Sequence, residues 1–232
     1  MRKPSLAICC TNYGPIEANV YQNHMALAAN ASRVFDIPYI GTTDKMYTHT
    51  ASNALATNSL AHCVDYVFWV ENDMLIPFDA ITKLYESMQK AKSLICAGLY
   101  FLRGDGTRPC LFNRMPNEKY KFTPVLLFPD NALFKIDCPG MGCVLMNTDV
   151  FRQLEAPFFD LKEGTYGQDI YFYSKVKDAN IDVMVDSSVK CGHMGAREII
   201  TVDCYNKYIT DVKTKIEGGM IITNPKNYVR EI

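Results

Sequence analysis

Apolar residues in this chain come in two rhythms. Short unbroken runs at residues 5–10, 66–70 and 93–101 have strand length, and each predicts a strand covered on both faces in a parallel sheet. Residues 35–40, led by Asp36, read as a further short strand. Between the runs, apolar positions return every three or four residues. Val20, His24, Leu27, Ala28 and Ala31 share one face of a helix predicted over 16–33. Leu55, Ser59 and Cys63 make a stripe over 52–63, and Ile81, Leu84, Tyr85 and Met88 line the inner face of a helix over 78–90. The polar stretch 42–50 reads as a loop. Strand and helix in regular succession imply a mostly parallel, doubly wound α/β layer.

Beyond residue 102 the rhythm breaks. Residues 103–137 hold short β-like pieces separated by turn signals at 104–106, 114–117 and 129–131, without a helical period. Mixed strand directions and a substrate-shaping insert are expected there. Residues 139–146 read as a glycine-punctuated strand, 147–154 as a short helix, 157–160 as an aromatic loop, and 166–170 opens a helix that reaches 177. A strand over 181–185 is followed by Cys191-Gly192-His193-Met194-Gly195, whose histidine between glycines suggests a mobile ligand or catalytic group. A helix is predicted over 203–216, and 218–232 is a tail that either folds over a site or packs.

Composition narrows the class. A chain of 232 residues with 48% hydrophobic and 21% charged residues has the balance of a globular protein, and no Pro/Gly/Ser-rich linker divides it, so a single domain is expected. A net charge of -1 gives no general electrostatic attraction to nucleic acid or an acidic membrane. The nine cysteines are odd in number, contain no CxxC and sit mostly in apolar settings, as free core thiols do in a reducing compartment. No apolar run reaches the roughly 18 residues of a membrane span, and Met-Arg-Lys-Pro leads straight into a strand. The expected setting is cytoplasmic.

Candidate chemistry gathers where strands end. The run 66–70 closes in Glu71-Asn72-Asp73, and two carboxylates two positions apart at a strand's carboxyl end suit Mg²⁺ or Mn²⁺ shared with a phosphate. Capping of the following helix by Asn72 and Asp73 is the alternative. Thr11-Asn12-Tyr13 leaves the first strand at the same edge. Tyr13 could stack on a nucleobase while Thr11 or Asn12 bonds its edge, or the turn could simply cover the core. The chain has neither GxxxxGK[ST] nor GxGxxG. Asn53, opening a helix, either helps hold an anion or caps. Gly140 and Gly142 permit close approach of a ligand, or form a bulge. Asp169, near a helix start behind Gln168, suits a base or a cap.

Taken in order, these features resemble the GT-A glycosyltransferases, and within them the family-2-like group, over residues 6–195. The resemblance implies a Rossmann-type three-layer sandwich: one catalytic domain with a nucleotide-binding half at 1–101, an acceptor and metal half at 102–195, and a C-terminal helix and tail at 196–232. It implies a divalent ion on Glu71, Asp73 and His193, gripping the diphosphate of a nucleotide-sugar donor, a UDP-sugar for preference. Asp73 is then the direct ligand, because the family usually has Asp where this chain has Glu71; Glu71 would act through water or on the ribose. Asp169 is implied as the base of an inverting transfer, with Gln168, Gly140 and Gly142 toward the acceptor. The acceptor's identity (glycan, small molecule, protein or a modified nucleic-acid base) and the oligomeric state are not implied. A sugar nucleotidyltransferase is the alternative, although 11–15 lacks the basic residues a triphosphate calls for; a non-catalytic nucleotide- or glycan-binding protein of the same fold is another. Arg103, Arg108, Arg114, Lys119 and Lys121 would serve a nucleic-acid acceptor, or form an ordinary solvated loop.

Overall fold

The computed structural model of the protein describes residues 2–103, 107–162, 167–195 and 199–216. The turn at 104–106, the expected helix opening at Tyr166 and the tail over 218–232 lie wholly or partly outside the described residues. In chain order the elements are β1 (Ser5–Thr11), α1 (Ala18–Ala31), β2 (Asp36–Thr42), α2 (Thr48–Ala61), β3 (Tyr66–Glu71), β4 (Met74–Leu75) and α3 (Ala80–Ala91). Then follow β5 (Ile95–Leu99), β6 (Phe112–Arg114), β7 (Phe122–Pro124), β8 (Leu133–Ile136), β9 (Cys143–Asn147) and α4 (Asp149–Gln153). The chain continues through α5 (Gln168–Asp178), β10 (Val183–Lys190), β11 (Gly192–Met194), β12 (Ile199–Ile200) and α6 (Val202–Ile216).

A seven-stranded sheet in the order β2-β1-β3-β9-β5-β10-β8 organises the molecule. β1 runs parallel to β2 and β3, and β10 parallel to β5, while β9 lies antiparallel between β3 and β5 and β8 antiparallel at the edge. Side-chain alternation divides the core in two. Ala7, Cys9, Val67 and Trp69 face Leu55 and Ala56 of α2, Phe151 of α4 and Phe172 of α5, whereas Leu6, Ile8, Phe68 and Val70 face Leu27 of α1 and Ile81, Leu84 and Met88 of α3. Helices thus cover both faces, giving three layers. Trp69 is fully buried against Phe151 and Phe159. Burying side chains of this kind is worth about 1.5–3 kcal/mol each.

The structure departs from the sequence reading in instructive places. The mixed directions expected at 103–137 extend to β9, which runs antiparallel in the centre of the sheet; its Cys-Val-Leu-Met run is buried on both faces as β3 and β5 beside it are, so apolar pattern alone carries no direction. Helix α2 begins at Thr48 inside the stretch read as a loop, because its first turn, Thr48-His49-Thr50, is polar. Pro77 and Phe78 precede α3 rather than open it: Ile76 is buried and tied through both its N–H and its carbonyl to the Asn23 amide at 2.7 and 2.8 Å. None of the nine cysteines is paired. Among the described residues no helix is long and apolar enough to cross a membrane.

Candidate functional site

Thr11 stands directly beside Glu71 in the β1–β3 register, so the carboxyl ends of the two strands open at one level. There the chain turns through Asn72 and Asp73 into β4, which pairs with β11 in a small antiparallel sheet completed by β12. His193 sits opposite Met74 in that ladder, and the Met194 N–H donates to the Asp73 carbonyl at 2.8 Å. Helix α1 braces the arrangement, with Nε2 of His24 3.0 Å from the Met74 carbonyl. Backbone pairing, rather than side-chain contact, therefore brings the distant histidine to the acidic turn.

His193 is only 5% exposed, which corrects the expectation of a mobile residue: its flanking glycine Gly192 serves strand packing, since a Cβ there would lie 2.9 Å from Ile199. Nδ1 is 2.8 Å from the Phe101 carbonyl, and an acceptor there requires the ring proton on Nδ1. That leaves Nε2 facing Asp73 Oδ2 at 3.4 Å, with the Tyr100 ring edge-on at 5.7 Å. The contact is that of an ion pair, and neither His193 Nε2 nor Asp73 Oδ1, both buried, completes a well-formed hydrogen bond. Burial lowers the histidine's proton affinity, yet the Asp73 carboxylate and the Phe101 carbonyl outweigh it and hold the pKa above its usual value. Burial likewise acts to raise Asp73, but His193 and the Arg103 guanidinium keep it below the ordinary carboxylate range.

Glu71 behaves oppositely. Burial, reinforced by the charges of Asp73 and Asp169, pushes its pKa up to about 7. Near neutral pH the acidic turn thus holds one firmly ionised carboxylate and one that shares its time with a proton.

A cavity of about 220 Å³ opens at this turn, lined by Thr11, Asn12, Tyr13, Glu71, Asn72, Asp73 and Arg103, with Met46 just before α2 and Thr48 and Ala51 in its first turn. Asn12 is fixed in its wall: its Oδ1 accepts from Asn72 Nδ2 at 2.6 Å, and its backbone N–H donates to Thr43 Oγ1 at 3.2 Å. Tyr13 is 69% exposed at the mouth. Two larger hollows, of about 650 and 290 Å³, lie at the amino ends of the parallel strands around Ser5 and Val183, away from this turn.

Other expected residues are used differently. Asn53 lies inside α2, and its amide is consumed by the aromatic loop, donating to the Phe159 carbonyl at 2.6 Å and accepting from the Phe158 and Phe159 N–H groups, so it is not available to an anion. Gly140 and Gly142 admit the Tyr100 ring rather than a ligand: a Cβ on Gly140, at φ +70°, would sit 2.2 Å from the tyrosine oxygen, and the Gly142 N–H donates to that oxygen at 3.2 Å. Asp169 stands in the first turn of α5, where its Oδ1 accepts from the Ile170 N–H at 2.9 Å, and burial raises its pKa. It does not line the cavity but lies within electrostatic reach of Glu71. Gln168 beside it is buried, with its Oε1 unpartnered.

The basic insert is largely neutralised by carboxylates around it: Arg114 and Lys119 pair with Asp178 at the end of α5, and Lys121 with Glu118. Arg103 belongs to the cavity instead, with Nη2 3.0 Å from Asp73 Oδ2. The sequence reading counted it with the insert; the signal that separates it is its position just past a buried strand, at the same sheet edge as Asp73.

Among the described residues no group of three His, Cys, Asp or Glu side chains is arranged to hold a metal. Asp73 and His193 offer a hard oxygen and an imidazole nitrogen, each with an unpartnered buried atom, which fits a divalent ion whose remaining positions are filled by a ligand's oxygens and water.

No sequence-family model matches the chain, nor does any curated protein by sequence. Solved structures do match. The crystal structure of A197 from STIV aligns with a TM-score of 0.61 over 85% of this chain and 93% of that one, at 12% identity. The crystal structure of GalNAc-T7 with UDP, GalNAc and Mn²⁺ aligns with a TM-score of 0.60 over 82% of this chain and 43% of that one, at 8% identity. The present fold spans less than half of the second protein. At these identities the likeness is one of fold, and the fold of this chain is GT-A-like, an α/β architecture around a large, mostly parallel sheet.

Proposed function

We propose that the protein is a metal-dependent glycosyltransferase of the family-2-like GT-A group, moving a sugar from a nucleotide-diphosphate donor to an acceptor hydroxyl with inversion. The observation that carries this reading is the buried pair of Asp73 and His193, whose Oδ2 and Nε2 face each other at 3.4 Å while Asp73 Oδ1 and His193 Nε2 lack a hydrogen bond, beside a cavity at the carboxyl edge of the sheet. The UDP and Mn²⁺ in the GalNAc-T7 structure support the choice of ligands.

On this reading residues 1–101 form the donor half and 102–195 the metal and acceptor half. A divalent cation, when bound, supplies charge stabilisation of the departing diphosphate. Asp73 and His193 would hold it, the first as a stable anion, the second with its lone pair turned inward by the Phe101 carbonyl. Tyr13 covers the base, and Glu71 faces the ribose. Asp169 takes the proton from the acceptor hydroxyl as that oxygen attacks the anomeric carbon, and its raised pKa makes it the stronger base.

The test is thermal unfolding across a set of nucleotide sugars with Mn²⁺ or Mg²⁺. A ligand at a hundred times its dissociation constant stabilises the folded state by about 2.7 kcal/mol, and EDTA should abolish the gain. Failure of every nucleotide to raise the melting temperature in saturating metal would overturn the proposal.

A further inference from the structure

The cavity holds an internal cation. Arg103 Nη2 lies 3.0 Å from Asp73 Oδ2, the same oxygen that His193 Nε2 faces at 3.4 Å, and Arg103 Nη1 is 3.3 Å from the Met194 carbonyl. The guanidinium therefore caps the carboxylate that a divalent ion would need. Its side chain is 53% exposed, against 22% for Asp73, so it can leave without disturbing the core. Among the described residues that line the cavity it is the only Lys or Arg, facing Glu71 and Asp73.

Resting on the glycosyltransferase reading, we propose that Arg103 is an exchanging counter-ion: it guards Asp73 in the empty protein and moves to the diphosphate oxygens of the donor once a divalent ion takes its place. Each charge then keeps a partner in both states. Without Arg103 the empty cavity would leave Asp73 facing Glu71 with less compensation, and among the described residues that line it an entering diphosphate would meet carboxylates and no side-chain cation. A guanidinium suits both partners, because its planar fork matches carboxylate and phosphate alike. Exposed ion pairs of this sort are weak, which is what exchange requires.

The exchange predicts effects of opposite sign from one substitution. In Arg103→Ala the competitor for Asp73 is gone, so Mn²⁺ alone, followed by the electron paramagnetic resonance of the free ion, should bind about two- to fivefold tighter. Uridine diphosphate titrated calorimetrically into the Mn²⁺-saturated variant should bind about ten- to a hundredfold weaker. Arg103→Lys should recover part of the diphosphate affinity, and an unchanged melting temperature of the metal-free variant would exclude a folding defect. A merely structural arginine would weaken both ligands together, and that result overturns the exchange, as does an unchanged affinity for either. If the unaltered protein binds neither Mn²⁺ nor the diphosphate, the glycosyltransferase reading falls and the exchange with it. If it binds both and Arg103→Ala changes neither, the role of Arg103 alone is refuted.

Discussion

Asp73 and Asp169 are carboxylates of the same chemistry, yet the protein treats them in opposite ways. Asp73 is built into a strand turn, with its carbonyl tied to Met194, its carboxylate paired with Arg103 and an imidazole facing it, and it is held as an anion. Asp169 begins a helix, with the N–H of Ile170 on its Oδ1, and burial makes it readier to accept a proton. The difference shows how position divides labour between like groups: surrounded by positive partners, a carboxylate suits a cation, and surrounded by protein without them it suits a proton.

Three substitutions can break or sharpen that contrast. The largest effect is expected from Asp73→Ala, which removes the anion while leaving the small sheet's backbone intact. Metal-dependent turnover should fall about a thousandfold or more, in line with the loss of several kcal/mol of charge stabilisation. An initial-rate titration with Mn²⁺ that still reached the normal rate would take Asp73 out of the site. Next comes Asp169→Asn, which keeps the shape and removes the base. Transfer should drop by about a hundred- to a thousandfold, while uridine diphosphate still raises the melting temperature in Mn²⁺. Normal transfer by this variant would point instead to retention of configuration.

The smallest effect separates the two sides of the site. Asn53 holds the Phe158-Phe159 loop, and Phe159 stacks on Phe172 of α5 at 4.7 Å, so this amide steadies the Asp169 side and not the Asp73 side. Asn53→Ala strands backbone groups in a mostly buried setting and should cost about 1–3 kcal/mol in a denaturant titration. It should reduce transfer more than Mn²⁺ uptake; equal losses in both would mean that the two sides are not independent.

Much of the fold was legible because its signals are redundant. β1, β3 and β5 are unbroken apolar runs, and Val20, Leu27, Ile81, Leu84 and Met88 face the core as their spacing predicts. β4 and β11 were not legible, since strands of two and three residues are too short to show a period and form only through their partners. The same limit applies around the cavity. Residue type and position at a strand's end singled out Glu71, Asp73 and His193, and the structure gathers them at one edge. Gly140, Gly142 and Asn53 carry residue types suited to ligand contact, but a tyrosine ring and an aromatic loop, both invisible locally, claim them first. Arg103 was hidden among basic neighbours whose charges are spent elsewhere.

One residue, Cys191, connects β10 to β11, and it is buried with its N–H on the Leu99 carbonyl. Strand side chains alternate, so dropping or adding a single amino acid there would rotate the imidazole onto the opposite face of its ribbon. Insertions and deletions should therefore be forbidden at this link, while the long excursion between β5 and β8 is free to lengthen or shrink without turning the imidazole.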